Sequence, residues 1–161
     1  MENSKILAEN DMIFLAQPSE NELDQYVQVM KENSKNRDGF DDLAYKEHLW
    51  QELNRETGFF CSILRKSDGA FCGYCGIEDM EEEQWEISVE LLKQYHRQGL
   101  GFQSLDLLMH MLKETKGVSV FKSRVEGLNL ASQKLMEKAY GSLVGIEQED
   151  GLQVLVYQHR I

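Results

Sequence analysis

The sequence predicts a mixed α/β fold built on a mostly antiparallel sheet, and three observations carry that prediction. Strand-like runs in the middle of the chain are joined by hairpin signals, with Asp68-Gly69 between two of them. Later runs are separated by segments whose apolar residues recur with helical spacing. The resulting order, β-α-α-β-β-β-α-β-α-β-β, disfavours a doubly wound parallel sheet.

Met12 to Ala16 reads as a short strand, ended by Gln17-Pro18-Ser19, where Ser19 is placed to cap a helix running to about Met30. Asn33 to Gly39 reads as a loop. Asp41 or Asp42 then caps a second helix, whose Leu43, Leu49, Trp50 and Leu53 keep helical spacing until Gly58 stops it. Phe59 to Leu64 and Ala70 to Ile77 form the hairpin. After the acidic turn Glu78 to Gln84, strict alternation puts Trp85, Ile87, Val89 and Leu91 on one face of a strand and Glu86, Ser88 and Glu90 on the other. From Gly99 to about Lys116 the period is helical, with Phe102, Leu105, Leu108, Met109 and Leu112 as the apolar stripe, and Gly117 ends it. Val118 to Val125 is a strand and Asn129 to Tyr140 a helix. Leu143 to Gln148 and Leu152 to His159 form a last hairpin turning at Asp150-Gly151.

A chain of 161 residues with 42% hydrophobic content suits one domain, residues 1–161, around one core. No apolar run reaches the roughly 18 residues of a membrane span, and the start has no signal-peptide pattern, so the expectation is a cytoplasmic protein without a membrane partner. Cys61, Cys72 and Cys75 read as buried thiols, because an odd number without an export signal does not make a disulfide framework. Cys72 and Cys75 lack the second pair or histidine that a zinc site needs, and His48, His110 and His159 show no ligand spacing, so no metal is expected. The net charge of -11 repels nucleic acid and suits a cationic partner. It also requires that any anionic ligand be held by local donors.

Such donors gather in Leu91 to Phe102, LLKQYHRQGLGF, where a strand ends and a helix begins through Gly99 and Gly101. A helix start offers N–H groups without intrahelical acceptors and about half a positive charge, which suits a phosphate. His96 and Arg97 add side-chain donors. Ser104 stands where a Rossmann fingerprint needs a third glycine or alanine, and a P-loop lysine is absent. The plainer reading is that the glycines only ease a tight turn.

His96-Arg97-Gln98-Gly99-Leu100-Gly101 resembles the R/Q-x-x-G-x-G/A signature of GNAT acetyltransferases, with histidine at the first position. Asn129-Leu-Ala-Ser132 resembles the family's second cofactor-flanking motif. The resemblance spans about residues 59–161 and admits a ribosomal-protein N-acetyltransferase-like branch. It implies a GNAT-like, splayed, mostly antiparallel sheet of six to seven strands with about four helices, and acetyl-CoA as cosubstrate. The pantetheine arm would lie along Leu91, Leu92 and Lys93. The pyrophosphate would rest on the turn of His96, Arg97, Gln98, Gly99, Leu100, Gly101 and Phe102, with Asn129 and Ser132 on the far side. Asn129 also reads as a plain helix cap.

Acetyl transfer to an amine wants a base, for which Glu90 is the first candidate and Glu86 the second. A solvated strand face explains either equally well. The position where many relatives carry a tyrosine acid is Met136, and Tyr140, one helical turn on, is the replacement candidate. The acceptor is expected to be a primary amine of a small molecule, polyamine or peptide, and the protein a homodimer. The rival expectation is a CoA-binding sensor or interaction module that does not turn over.

Overall fold

A computed structural model describes residues 5–34 and 43–161. Its elements are β1 (Ile6–Glu9), β2 (Ile13–Ala16), α1 (Leu23–Asn33), α2 (Leu43–Leu53), β3 (Phe59–Arg65), β4 (Phe71–Ile77) and β5 (Trp85–Leu91), then α3 (Leu100–Lys116), β6 (Val120–Glu126), α4 (Leu130–Lys138), β7 (Gly141–Glu149) and β8 (Leu152–Arg160). The strands form one sheet in the order β1-β2-β3-β4-β5-β6-β8-β7, antiparallel at every junction except β5–β6.

The mixed, mostly antiparallel fold with four α-helices is as predicted, but the sheet has eight strands rather than six or seven. The extra strand is β1, a four-residue edge element that is half-exposed. It is held by a turn in which the Asn10 side-chain oxygen accepts from Met12 N (2.8 Å) and Ile13 N (3.0 Å). Too short to show alternation, β1 is defined by its partner β2 rather than by its own pattern. The predicted Asp41 or Asp42 cap lies outside the described residues.

Ser19 caps as expected: its hydroxyl accepts from Asn21 N, and its own N–H donates to Glu22 Oε1 at 2.9 Å. The two predicted hairpins turn at Asp68-Gly69 and Asp150-Gly151. In α3, Leu105, Leu108, Met109 and Leu112 are fully buried, and they run against β1, β2, β4 and β5. All three cysteines are buried and unpaired.

One correction matters for the site. The fourth helix stops at Lys138 instead of Tyr140, because Tyr140 adopts φ 67 and turns the chain into β7. The C-terminal end of α4 is tied to the sheet by His159, which is completely buried. Its Nδ1 lies 2.7 Å from Ala139 O, so this nitrogen carries the hydrogen, and Nε2 then accepts from the Ser123 hydroxyl at 2.7 Å. Burial holds the His159 pKa below its ordinary value, keeping the ring neutral.

Candidate active site

The site starts from a gap in the sheet. Parallel β5 and β6 pair only at Trp85↔Phe121 and Glu86↔Lys122, and beyond these rungs the strands part. β5 stays paired to β4 through Leu91, and β6 to β8 along its whole length, so the opening lies between two well-anchored strands. At its top the Leu91 carbonyl accepts from Asn33 Nδ2 (3.2 Å) and lies 3.0 Å from His96 Nε2. The result is a cleft of about 590 Å³. Val89, Glu90 and Leu91 of β5 form one wall, Asn129, Ala131, Ser132, Lys134, Leu135 and Lys138 the other, and His96, Arg97, Gly99, Gly101 and Phe102 the end.

That end is a turn with two residues in the left-handed region, Arg97 at φ 63 and Gly99 at φ 78. Gly99 is the N-cap of α3 and supplies no side-chain cap, and the first intrahelical bond is Gln103 N to Gly99 O. Among the described residues nothing accepts from the N–H groups of Leu100, Gly101 and Phe102. These donors, with the helix dipole behind them, make a concave anion cradle. Arg97, Lys134 and Lys138 line the same cleft, with Lys138 Nζ 4.7 Å from the centre of the Phe102 ring. They meet the local-donor requirement set by the chain's negative charge.

The two glycines differ in what they permit. A methyl group at Gly99 would meet nothing within 4 Å, so backbone conformation alone demands glycine there. At Gly101 an added Cβ would stand 3.1 Å from Leu135 Cδ2. That glycine therefore also sets how closely α3 approaches α4.

On the opposite wall, Asn129 Oδ1 accepts from Ser132 N at 3.1 Å, so the cap reading of Asn129 holds and coexists with its place in the cleft. Glu90 accepts a hydrogen bond from the Tyr74 hydroxyl at 2.9 Å. Burial raises its carboxyl pKa, Tyr74 pulls it back, and the Glu78 charge adds a further rise. Glu86 lies on the same strand face but lines a separate recess of about 400 Å³ with Arg55, Thr57, Glu78, Asp79 and Glu82. Burial raises its pKa too, opposed by Arg124 and Lys122. Four residues of strand put it roughly 13 Å from Glu90.

Eight of the residues expected at the cofactor line the cleft: Leu91, His96, Arg97, Gly99, Gly101, Phe102, Asn129 and Ser132. Leu92, Lys93, Gln98 and Leu100 do not. The Leu92 and Leu100 side chains are buried, so Leu100 contributes only its N–H to the cradle; the Lys93 N–H donates to Glu32 Oε1 at 2.7 Å, and the Gln98 amide donates to Gln94 O at 3.1 Å. Tyr140 is not brought in either. Its hydroxyl donates to Asp106 Oδ1 at 2.6 Å, beside the His110 ring, and the helical adjacency expected from Met136 fails because the helix has already ended. Met136 itself is buried. Sequence reading missed Asn33, Val89, Ala131, Lys134, Leu135 and Lys138. Two of these had a signal: Lys134 and Lys138 are one turn apart after a helix cap.

The family model of the acetyltransferase (GNAT) domain matches residues 7–140. The chain belongs to the GNAT family. No curated protein sequence matches it. Among solved structures, this GNAT chain is similar to RimL, the ribosomal L7/L12 α-N-protein acetyltransferase, in complex with coenzyme A. They share 17% identity at a TM-score of 0.82, over 98% of each chain. It is similar also to the microcin C7 self-immunity acetyltransferase MccE in complex with acetyl-CoA and AMP, with 14% identity and TM-score 0.79 over 94% of each chain. A third is the Salmonella typhimurium acetyltransferase that modifies the N-terminal serine of ribosomal protein L7/L12. There the identity is 17% and the TM-score 0.76, over 94% of this chain and 96% of that one. At such identities the likeness is one of fold. Among the described residues no group of three or more His, Cys, Asp or Glu side chains is assembled to hold a metal, and no helix is long and apolar enough to cross a membrane.

Proposed function

We propose that residues 1–161 form one acetyl-CoA-dependent N-acetyltransferase domain that acetylates a primary amine by direct attack on the thioester. The observation that carries this is the junction of the β5–β6 gap with the uncapped turn at Gly99: a slot with an unpaired strand edge along one side and an anion cradle at its end. Two structures of the same fold, MccE and RimL, are complexes with acetyl-CoA and with coenzyme A, which supports that ligand here.

The N–H groups of Leu100 to Phe102 and the cations of Arg97, Lys134 and Lys138 hold the pyrophosphate, and the open edge of β5 from Ile87 to Leu91 orients the pantetheine amides. The cosubstrate supplies an acetyl thioester. A lysine-like amine with a pKa of about 10.4 is almost wholly protonated at pH 7, and freeing it costs about 4.6 kcal/mol. Glu90 removes this proton: an N–H bond breaks and an O–H bond forms on the carboxylate. The nitrogen lone pair then forms the C–N bond, and the C–S bond breaks with its electron pair on sulfur. The second proton lost from nitrogen reaches the thiolate, with Ser132 the hydroxyl among the lining residues, and Glu90 returns its own proton to solvent.

A second reading, a CoA-binding module without turnover, is favoured by the burial of Met136 and the engagement of Tyr140 with Asp106. Acetyl-CoA should raise the melting temperature under both readings, while thiol release with a panel of small amines, polyamines and peptide N-termini occurs only under the first. No thermal shift rejects both. A shift without amine-dependent thiol leaves the binding module.

A further inference from the structure

The neighbourhood of Glu90 contains a second device. Ser62 on β3 pairs with Tyr74 on β4, and Tyr74 with Glu90 on β5, so the three form one cross-strand row. Two phenols serve this row and each is committed to a different acceptor. Tyr26 of α1 lies 2.6 Å from the Ser62 hydroxyl, which donates to Glu22 Oε1 at 2.7 Å. Tyr74 is left for Glu90 Oε2, at 2.9 Å. Its ring is wedged between Tyr26, with centroids 5.5 Å apart, and Phe60, at 6.5 Å, so the hydroxyl is aimed by packing.

The backbone reinforces this aim. β4 carries a bulge at Cys72, where the pairing steps from Ile63↔Gly73 to Leu64↔Phe71. The bulge brings Gly73 so close to β5 that a Cβ there would stand 2.1 Å from Glu90 O. Position 73 therefore admits only glycine, one residue from the Tyr74–Glu90 bond. Among the described residues no other group hydrogen-bonds the Glu90 carboxylate, so its Oε1 remains for a ligand in the cleft that Glu90 lines.

We propose that Tyr74 is the positioning residue of this site: its hydroxyl holds Glu90 Oε2 and thereby presents Oε1 as the atom that takes the proton of the acceptor amine. This rests on the reading of Glu90 as the base. Burial keeps the Tyr74 phenol well above its ordinary pKa, so it stays a donor across the working range. The other charged or titratable groups around Glu90 are Glu78 beyond the end of β4, Tyr45 of α2, and His96, Arg97, Lys134 and Lys138 of the same cleft, while α1 contributes the neutral amide of Asn33.

The test is a carbon-13 NMR titration of glutamate carboxyl groups in the ligand-free protein, with the Glu90 signal identified by its loss in Glu90→Gln. Tyr74→Phe keeps the wedged ring and deletes one oxygen. Its Glu90 midpoint should move up by about one pH unit or more, as expected when a donor to a charged group is removed. Tyr26→Phe, which alters the same stack without touching Glu90, should leave that midpoint where it is. An unchanged midpoint in Tyr74→Phe, or an equal rise in Tyr26→Phe, overturns the proposal. The pH–rate profile of thiol release then separates the two claims. Loss of the acid limb in Glu90→Gln, with that limb displaced upward in Tyr74→Phe, supports both. An acid limb that survives in Glu90→Gln removes the base and the positioning role with it. A limb lost in Glu90→Gln but undisplaced in Tyr74→Phe removes only the role of Tyr74.

Discussion

Alanine at Gly99 and, separately, at Gly117 distinguishes strain in the chain from obstruction of a ligand. The two glycines cap opposite ends of α3 with nearly the same backbone, φ 78 and φ 72, and at neither would a methyl group meet anything within 4 Å. Both substitutions therefore cost the left-handed penalty of an L-residue, about 1 to 2 kcal/mol, and little else. For a domain of this size that lowers the melting temperature by roughly 2 to 8 °C, by the same amount in each variant. Gly99, however, lines the cleft and Gly117 does not. With acetyl-CoA at a hundred times its Kd, the wild type and Gly117→Ala should gain about 2.7 kcal/mol of stability. If a methyl group at this cleft-lining position weakens binding tenfold, Gly99→Ala gains only about 1.4 kcal/mol. Differential scanning fluorimetry across a ligand series reads both numbers. Equal acetyl-CoA gains in the two variants would refute the anion cradle, and unequal losses without ligand would refute the strain argument.

Two further outcomes follow from buried contacts. Gly101→Leu drives a side chain into Leu135 and should cost about 1 to 3 kcal/mol by overpacking, seen as a lower denaturant midpoint even without ligand. An unchanged midpoint would mean that α4 is free to shift. Ser123→Ala leaves the buried Nε2 of His159 without its donor and should cost about 1 to 3 kcal/mol in urea denaturation. Because the folded pKa of His159 lies below its unfolded value, its contribution is complete above about pH 6.5 and is lost as pH falls from there towards the folded value. A His159→Gln variant should flatten that acid-side decline, and an identical decline would rule His159 out as its source.

What the sequence disclosed depended on whether a residue's role is local. Ser19, Asn129 and Asp68 act on N–H groups two or three residues away, and all were legible. The buried stripe of α3 was legible from its period. By contrast, β1 takes its conformation from β2 across a turn, and its four residues carry no period of their own. Tyr140 was misplaced because a single left-handed residue, invisible in a helical pattern, ended α4 early. Leu92 and Leu100 bury their side chains in the core, and only the Leu92 N–H is taken up by the sheet, at Cys72 O, while that of Leu100 stays in the cradle. Tyr74 lay in a strand read as part of a hairpin, and only cross-strand register reveals that it faces Glu90.

The sheet is continuous through β5 and β6 by two residue pairs, yet the strands on either side of that isthmus are paired for most of their length. Beneath that isthmus the core runs on without a break, since Phe121, Val125 and Tyr157 of one bank belong to the same buried cluster as Ile77 and Ile87 of the other. A guest seated between the banks is therefore offered main-chain groups that the strands deny each other, on a floor already laid by side chains.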